Sequence, residues 1–422
     1  MRQAILEAEP APLSSSIEAC RSCGSSRLYL IADLGSTPLA NAFLTAEELN
    51  IRELTFPLRL VFCAECTLVQ ITETVRPDVL FGSYLYASSY SETMLRHAQE
   101  TCEKLCRQRS LGANSLVVEI ASNDGYLLQF FAERKIPVLG IEPATNIAAI
   151  AQCRGVPTRV AFFDSSLADQ LTREGLYADV ILGNNVLAHV SAVNDFIAGV
   201  KKILKPGAMA RFEFPYVGDM VCNLEFDTIY HEHIFYFSAH SIEFLLRRHG
   251  LLFADVERLP IHGGSLAVTV ASEADPLGRK RVEKLLAEER KCKMDKLSFY
   301  EDFGARVTAS MRELKSLLTQ LLLAGRRICA YGASAKGSTL LNTICLGAGT
   351  LEYIVDRSEL KQGLFTPGTR LQILPPERLT QDRPDYVLLL TWNFLEEILR
   401  QQKTYRDLGG KFIVPIPSPV IV

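Results

Sequence analysis

Leu116-Val-Val-Glu-Ile-Ala-Ser-Asn-Asp-Gly125 decides how this chain is read. Its branched apolar start predicts a short buried strand, and the small polar residues that follow predict a turn. Tyr126-Leu-Leu-Gln-Phe-Phe-Ala-Glu-Arg134 then has helical spacing, and Val138-Leu-Gly-Ile-Glu142 predicts a second strand that ends in an acid. Strand, small-residue turn, helix and acid-tipped strand together open a doubly wound α/β sheet that holds an adenosine-type ligand, with the acid placed for ribose hydroxyls. The turn lacks G-x-G-x-x-G, and Glu119 beside it would repel a diphosphate. A cationic cofactor suits it better.

Outward from this unit the α/β pattern continues. Thr158 to Ala161 predicts a strand leading to Phe162-Phe163-Asp164, where Phe163 offers a ring and Asp164 a carboxylate for adenine. Tyr177 to Asn184 predicts another strand, ending in Asn184-Asn185 with His189 one short turn later, all facing the crevice beyond the strands' carboxyl ends. Val193 to Leu204 predicts a helix stopped by Lys205-Pro206-Gly207, followed by a strand over Ala208 to Phe214. Beyond Arg279 the dense charges predict one or two long amphipathic helices that bridge domains. Arg326 to Gly332, Leu351 to Asp356 and Tyr386 to Thr391 predict a second doubly wound domain. Its loop Gly332-Ala-Ser-Ala-Lys-Gly337 fits neither dinucleotide nor Walker patterns, but small residues and Lys336 at a helix start suit a diphosphate. Asp356 at a strand tip leaves open a dinucleotide-dependent oxidoreductase or epimerase. A zinc-ribbon interaction module fused to decayed enzyme domains is a third class, opposed by the intact turn, Glu142 and a reactive segment described below.

At 422 residues, with 48% hydrophobic and 22% charged, the chain is long enough for two or three domains. A formal net charge of −3 without a block of like charge argues against a nucleic-acid partner. No apolar run approaches the roughly 18 residues of a membrane span. The N-terminus lacks a basic region and apolar core, so a cytoplasmic location without membrane association is expected. Eleven cysteines in that compartment point to thiols or metal. Cys20-Arg-Ser-Cys23 and Cys63-Ala-Glu-Cys66 form two C-x2-C knuckles, which together make a four-cysteine zinc site. Four thiolates leave no open position, so the metal is read as structural. The long gap between knuckles, including Leu34-Gly-Ser-Thr-Pro-Leu-Ala-Asn41, predicts local structure of its own. Cys102, Cys106, Cys153, Cys222, Cys292, Cys329 and Cys345 are expected to be buried free thiols.

The most polar and aromatic stretch is Glu225-Phe-Asp-Thr-Ile-Tyr-His-Glu-His-Ile-Phe-Tyr-Phe-Ser238. Its H-x-H is not the H-E-x-x-H of a zincin. Tyr230, Glu232 and His233 are the groups needed to remove a proton and steady the anion left behind.

Glu119 to Gly125 and Glu142 resemble the cofactor motifs of S-adenosylmethionine methyltransferases, with Ala121 where glycine is usual. The two cysteine pairs, Tyr84 to Glu92, Val118 to Leu127, Gly140 to Asn146, Asn185 to His189, Ile229 to His233, Tyr331 to Gly337, Tyr353 to Asp356, Lys361 to Gly363 and Pro384 to Asn393 together resemble the sugar C-methyltransferases of nucleotide-deoxysugar biosynthesis, nearly end to end. The resemblance implies a zinc-binding domain over 1–82, a Rossmann-like class I methyltransferase domain over 83–272 and a second Rossmann-like domain over 273–422. It implies methyl transfer from S-adenosylmethionine to a carbon beside the ketone, C3 by preference, of a dTDP-linked 4-keto-deoxysugar. His233 would be the base, assisted by Tyr230, with Glu232 and His189 at the reacting centre. Glu119, Ala121, Asn123, Gly125, Glu142, Pro143, Phe163 and Asn184 would bind the cofactor. Tyr84, Asn185, His189, Glu232, Lys336 and Trp392 would meet the substrate. Ser338 departs from the family pattern, where asparagine follows Lys-Gly. A histidine near its ordinary pKa of about 6.5 can remove a ketone α-proton only where donors stabilise the enolate. Tyr230 or His189 could donate. The carbanion then takes the methyl in line, with the reacting atoms held at roughly 3 to 3.5 Å.

Overall fold

The computed structural model describes residues 12–81, 88–261, 263–273 and 275–422. Tyr84 lies outside the described residues. The strand predicted from Leu116 is Val117–Ile120, buried along its length. It lies inside a seven-stranded sheet, in the order Leu252–Leu259, Ser265–Ala271, Leu204–Pro215, Ala178–Asn184, Val117–Ile120, Val138–Ile141, Thr158–Arg159. From Leu204–Pro215 to Thr158–Arg159 neighbours run parallel, while Ser265–Ala271 is antiparallel to both its partners. Val117–Ile120 and Ala178–Asn184 are buried nearly throughout, which is why they read as mostly apolar runs. Strand order reverses between Val117–Ile120 and Ala178–Asn184, and the crevice for a ligand opens there.

The helix stop at Lys205-Pro206-Gly207 falls later than the chain's own turn. The helix is Val193–Ile203, and the strand already begins at Leu204, with its register broken between Leu204 and Met209. Proline and a left-handed Gly207 at φ 73° force this irregularity.

The second doubly wound sheet runs Ile373–Leu374, Ile354–Val355, Ile328–Tyr331, Tyr386–Leu389, Lys411–Val414, Val420–Ile421, parallel except for the last strand. Two long helices precede it, as the charge pattern predicts. Pro276–Lys291 is capped by Asp275 and packs on strand Leu252–Leu259 and helix Ala239–Arg248, and Phe303–Leu323 reaches from strand Leu28–Pro38 to helix Ala335–Ile344.

The cysteine-rich region forms an antiparallel sheet of Leu28–Pro38, Thr55–Cys63 and Val69–Ile71. Its fourth strand, Phe235–Tyr236, comes from the reactive segment. Of the cysteines expected as buried thiols, Cys102 and Cys329 are buried and Cys106 is partly so, whereas Cys153, Cys222, Cys292 and Cys345 are exposed. Each of these four closes a helix, where apolar surroundings in sequence become surface in space.

Candidate active site and metal centre

The sulfurs of Cys20, Cys23, Cys63 and Cys66 all lie within 4.8 Å of one another, with Cys20–Cys66 and Cys23–Cys63 at 3.5 Å. Ligands at about 2.3 Å from a tetrahedral zinc stand roughly 3.8 Å apart, so the donor set fits zinc. Hydrogen bonds from Cys63 and Cys66 pull the Cys20 thiol far down, and the same crowding by Cys20 and Cys63 pushes Cys66 up. Four thiols so packed call for a cation. Gln70 Nε2 donates to Cys20 Sγ at 3.1 Å, and Asn194 and Arg248 of the central domain donate to the Ser22 carbonyl within the knuckle.

The turn over 121–125 contains three left-handed residues: Ala121 at φ 56°, Asn123 at φ 51° and Gly125 at φ 77°. Ala121 therefore keeps the glycine-type conformation, against a steric cost of about 1–2 kcal/mol for an L-residue. Glu142 Oε2 accepts from Asn123 N at 3.0 Å and Oε1 from Ala144 N at 2.9 Å, so this acid braces the turn. Gly140 is required beside it, since a Cβ there would meet Ser122 Oγ at 2.5 Å. Pro143 is half-buried and leads into helix Thr145–Cys153.

Four buried carboxyls surround this turn. Asp124 has Arg154 at 2.8 Å, and Glu213 has Arg211 at 3.0 Å and His97 at 2.7 Å. Glu142 has its two backbone donors. Glu119, fully buried, has no hydrogen-bond partner on either oxygen among the described residues. Burial, then the charges of Asp124, Glu142 and Glu213, push its carboxyl well above the usual range. An orphaned buried carboxyl in an acidic cluster fits a ligand that carries positive charge, as S-adenosylmethionine does at its sulfonium and ammonium.

Asn184 ends its strand and donates to Tyr126 Oη at 3.1 Å. Asn185 follows at φ 55°, its N–H donating to Glu213 O at 2.7 Å. Phe163 is buried with its ring edge-on to Phe196 at 5.3 Å. Asp164, read as a partner for adenine, caps helix Ser165–Arg173 through Oδ1, which accepts from Leu167 N at 2.7 Å.

Within the reactive segment, His233 Nδ1 donates to the Thr228 carbonyl at 2.9 Å. A carbonyl can only accept, so the proton of the neutral ring sits on Nδ1 and Nε2 carries the lone pair. Tyr230 Oη donates to that Nε2 at 2.7 Å. His189 stands edge-on to His233 at 4.8 Å, and burial lowers it to about 4, which keeps it neutral at pH 7. Glu232 is buried, and desolvation raises it to about 7. His231 faces away from the dyad's tyrosine toward the zinc module: its Nε2 donates to the Pro57 carbonyl at 3.1 Å.

The structure thus brings together Tyr230, Glu232, His233 and His189. Lys336 and Trp392 are engaged with the segment from its other side. Trp392 Nε1 donates to Asp227 Oδ2 at 2.7 Å, the Lys336 ammonium lies 4.7 Å from the Trp392 ring centre, and its charge faces Asp227 and Glu225. The Gly332–Gly337 loop is closed on itself. Asp356 accepts from Ala333 N at 2.7 Å and Ser358 N at 2.8 Å, repeating the way Glu142 braces the first turn. Sequence reading missed Asn41, Asp227, Lys361 and His97, each of which acquires its partner across a long separation in the chain.

Comparison with known proteins adds to this geometry. Family models match in three blocks: a zinc binding domain over 20–81, a methyltransferase domain over 94–253 and a C-methyltransferase C-terminal domain over 260–417. The chain is 36% identical to C-methyltransferase NovU of Streptomyces niveus over 408 residues, covering 96% of this chain and 97% of that one. The chain belongs to the S-adenosylmethionine-dependent C-methyltransferases. Among solved structures, this C-methyltransferase is similar to a magnesium protoporphyrin IX methyltransferase from Synechocystis with bound SAH, at 14% identity, 42% of this chain, 83% of that chain and a TM-score of 0.35. It is likewise similar to an S-adenosylmethionine-dependent methyltransferase from Thermotoga maritima, at 19% identity, 42% of this chain, 91% of that chain and a TM-score of 0.32. Among the described residues of the C-methyltransferase, no helix is long and apolar enough to cross a membrane.

Proposed function

We propose that this C-methyltransferase methylates the carbon beside the ketone, C3, of a dTDP-linked 4-keto-deoxysugar, with His233 as base and Tyr230 as its proton carrier. The observation that carries the reading is the Tyr230–His233 dyad, in which the Thr228 carbonyl fixes the tautomer and leaves Nε2 basic. Because the tyrosine hydroxyl already sits on Nε2, the substrate proton passes to Tyr230 Oη as the hydroxyl's own proton moves to Nε2. With Tyr230 committed to the dyad, His189 is the donor left to steady the enolate oxygen. Its neutrality at pH 7 suits that role, since it keeps a ring N–H without adding charge to the resting site.

Bound S-adenosylmethionine supplies a methyl group made electrophilic by the sulfonium. Glu119, Ala121, Asn123, Gly125, Glu142, Pro143, Phe163 and Asn184 would hold it in the crevice. Tyr84, Asn185, Glu232, Lys336 and Trp392 would meet the sugar nucleotide, whose diphosphate and base fall to the unit over 273–422. Lys336 and Trp392 also touch the 225–228 stretch, so nucleotide binding there bears on the segment that carries the base. The four-cysteine zinc is structural and takes no part in the chemistry.

The test is incubation with S-adenosylmethionine and a panel of dTDP-4-keto-deoxysugars in deuterated water, read by mass spectrometry. One added methyl with S-adenosylhomocysteine formed in step is expected. Turnover that depends on a nicotinamide cofactor, or deuterium uptake without methylation across the panel, would overturn the proposal.

A further inference from the structure

The loop Leu39-Ala-Asn-Ala-Phe-Leu44 of the zinc-binding module has no role in the metal site, yet it reaches the reacting centre. Asn41 Nδ2 donates to Glu232 Oε1 at 2.7 Å, although the two lie 191 residues apart in the chain. Two residues on, the Phe43 ring stands 5.2 Å from the Lys361 ammonium of the C-terminal unit. Leu44 then exchanges both backbone hydrogen bonds with Phe365, at 2.9 and 2.8 Å. Lys361 is itself buried, donates to the Ala333 carbonyl at 2.8 Å, and its charge acts on Glu232 and Asp356. One short loop therefore joins all three units at the carboxylate next to the dyad.

Glu232 is 2% exposed, and its second oxygen, Oε2, has no partner among the described residues. A buried carboxylate with one oxygen satisfied and one open is a costly arrangement for structure alone. It is the arrangement needed to accept one directed hydrogen bond from a ligand hydroxyl.

We propose that Asn41 is a positioning residue of the acid–base cluster: its amide commits Oε1 of Glu232, so that Oε2 alone remains open to a hydroxyl of the sugar acceptor. The zinc module is thereby a wall of the active site as well as a folding unit. This inference rests on the sugar-methylating reading above. The groups that act on Glu232 are Asn41 from the zinc module, through its amide, and Lys361 from the C-terminal unit, through its charge. Asn41 favours the ionised carboxylate, as does Lys361, against desolvation. Removing the amide donor should raise the carboxyl's titration by about one to two units.

The experiment uses the full-length zinc-loaded protein and the variants Asn41→Ala, Asn41→Ser and Asn41→Asp. Difference infrared titration follows the Glu232 carboxyl, identified by its loss in Glu232→Gln, and needs no turnover. Zinc per chain and S-adenosylmethionine affinity confirm that each variant is folded. The expected result is an upward shift of the carboxyl midpoint in Asn41→Ala, a larger one in Asn41→Asp, and a smaller one in Asn41→Ser, whose hydroxyl can still donate. Alongside it, kcat with the keto-sugar should fall about tenfold or more, with the alkaline shift mirrored in its pH profile. Zinc-replete variants whose Glu232 titrates as in the wild type, with kcat and KM unchanged, would overturn the inference. A wild type that titrates as expected but methylates no keto-sugar would instead overturn the reading of the reaction.

Discussion

Glu232→Gln should make this enzyme more stable at alkaline pH while disabling it. The folded carboxyl titrates at about 7 against a reference of 4.5, because burial outweighs the hydrogen bond from Asn41 and the charge of Lys361. Between those two values the folded state binds more protons than the unfolded chain, so stability falls as pH rises through the window. Each unit is worth about 1.36 kcal/mol, and the 2.5-unit difference amounts to roughly 3 kcal/mol lost by pH 8 and fully retained below pH 4.5. Glutamine removes this pH-dependent loss. It also places an amide N–H where Oε2 lacks a partner, which adds a pH-independent offset to both ends of the curve. The quantity to follow is therefore the difference in Tm between variant and wild type, measured from pH 5 to pH 8.5 with zinc retained. About 2.5 kcal/mol of this change falls between pH 5 and pH 8.5, so at about 2–4 °C per kcal/mol for a domain of 150–250 residues the difference should grow by about 5–10 °C toward the alkaline end. A difference that stays flat across the range would refute the argument that burial governs this carboxyl.

Replacing His233 by alanine should lower turnover by about 10²–10⁴-fold while leaving S-adenosylmethionine affinity near wild type, checked by S-adenosylhomocysteine release and calorimetry; full activity would move the base to another residue. Cys20→Ser should lower zinc content below one per chain together with solubility, measured by metal analysis of the purified protein, and a retained full complement would exclude the four-cysteine site. Ala121→Gly should leave the protein at least as stable, by about 0–1 kcal/mol, because relief of the left-handed alanine at φ 56° is offset by glycine's greater unfolded freedom; a clear loss of Tm would mean the methyl packs usefully. Trp392→Phe strips the fully buried Asp227 carboxylate of its indole donor and leaves it the Lys336 charge and the backbone donors of Asp227 and Thr228, which should cost about 1–3 kcal/mol by thermal unfolding. An unchanged Tm would show that the Asp227 contact adds nothing to the union of the C-terminal unit with the reactive segment.

What depends on neighbours along the chain was legible before any coordinates. The periodicity around Leu116–Gly125, the acid at Glu142 and the repeat of the pattern from Arg326 onward specify two doubly wound sheets, because strand, turn and helix each leave a local mark. The C-x2-C pairs specify the metal site for the same reason, since ligand geometry is written into their spacing. The cluster Tyr230 to His233 was equally visible as chemistry. How those groups are set depends on the folded arrangement. The lone pair on His233 Nε2 depends on the carbonyl of Thr228, the neutrality of His189 on its burial, and the state of Glu232 on Asn41 and Lys361 from two other units. The same holds for Phe235–Tyr236, which pair with Val69–Ile71 and stitch the reactive segment into the zinc-bearing sheet. Such contacts join residues far apart in the chain, and neither burial nor a distant hydrogen-bond partner has a period or a spacing for the sequence to carry.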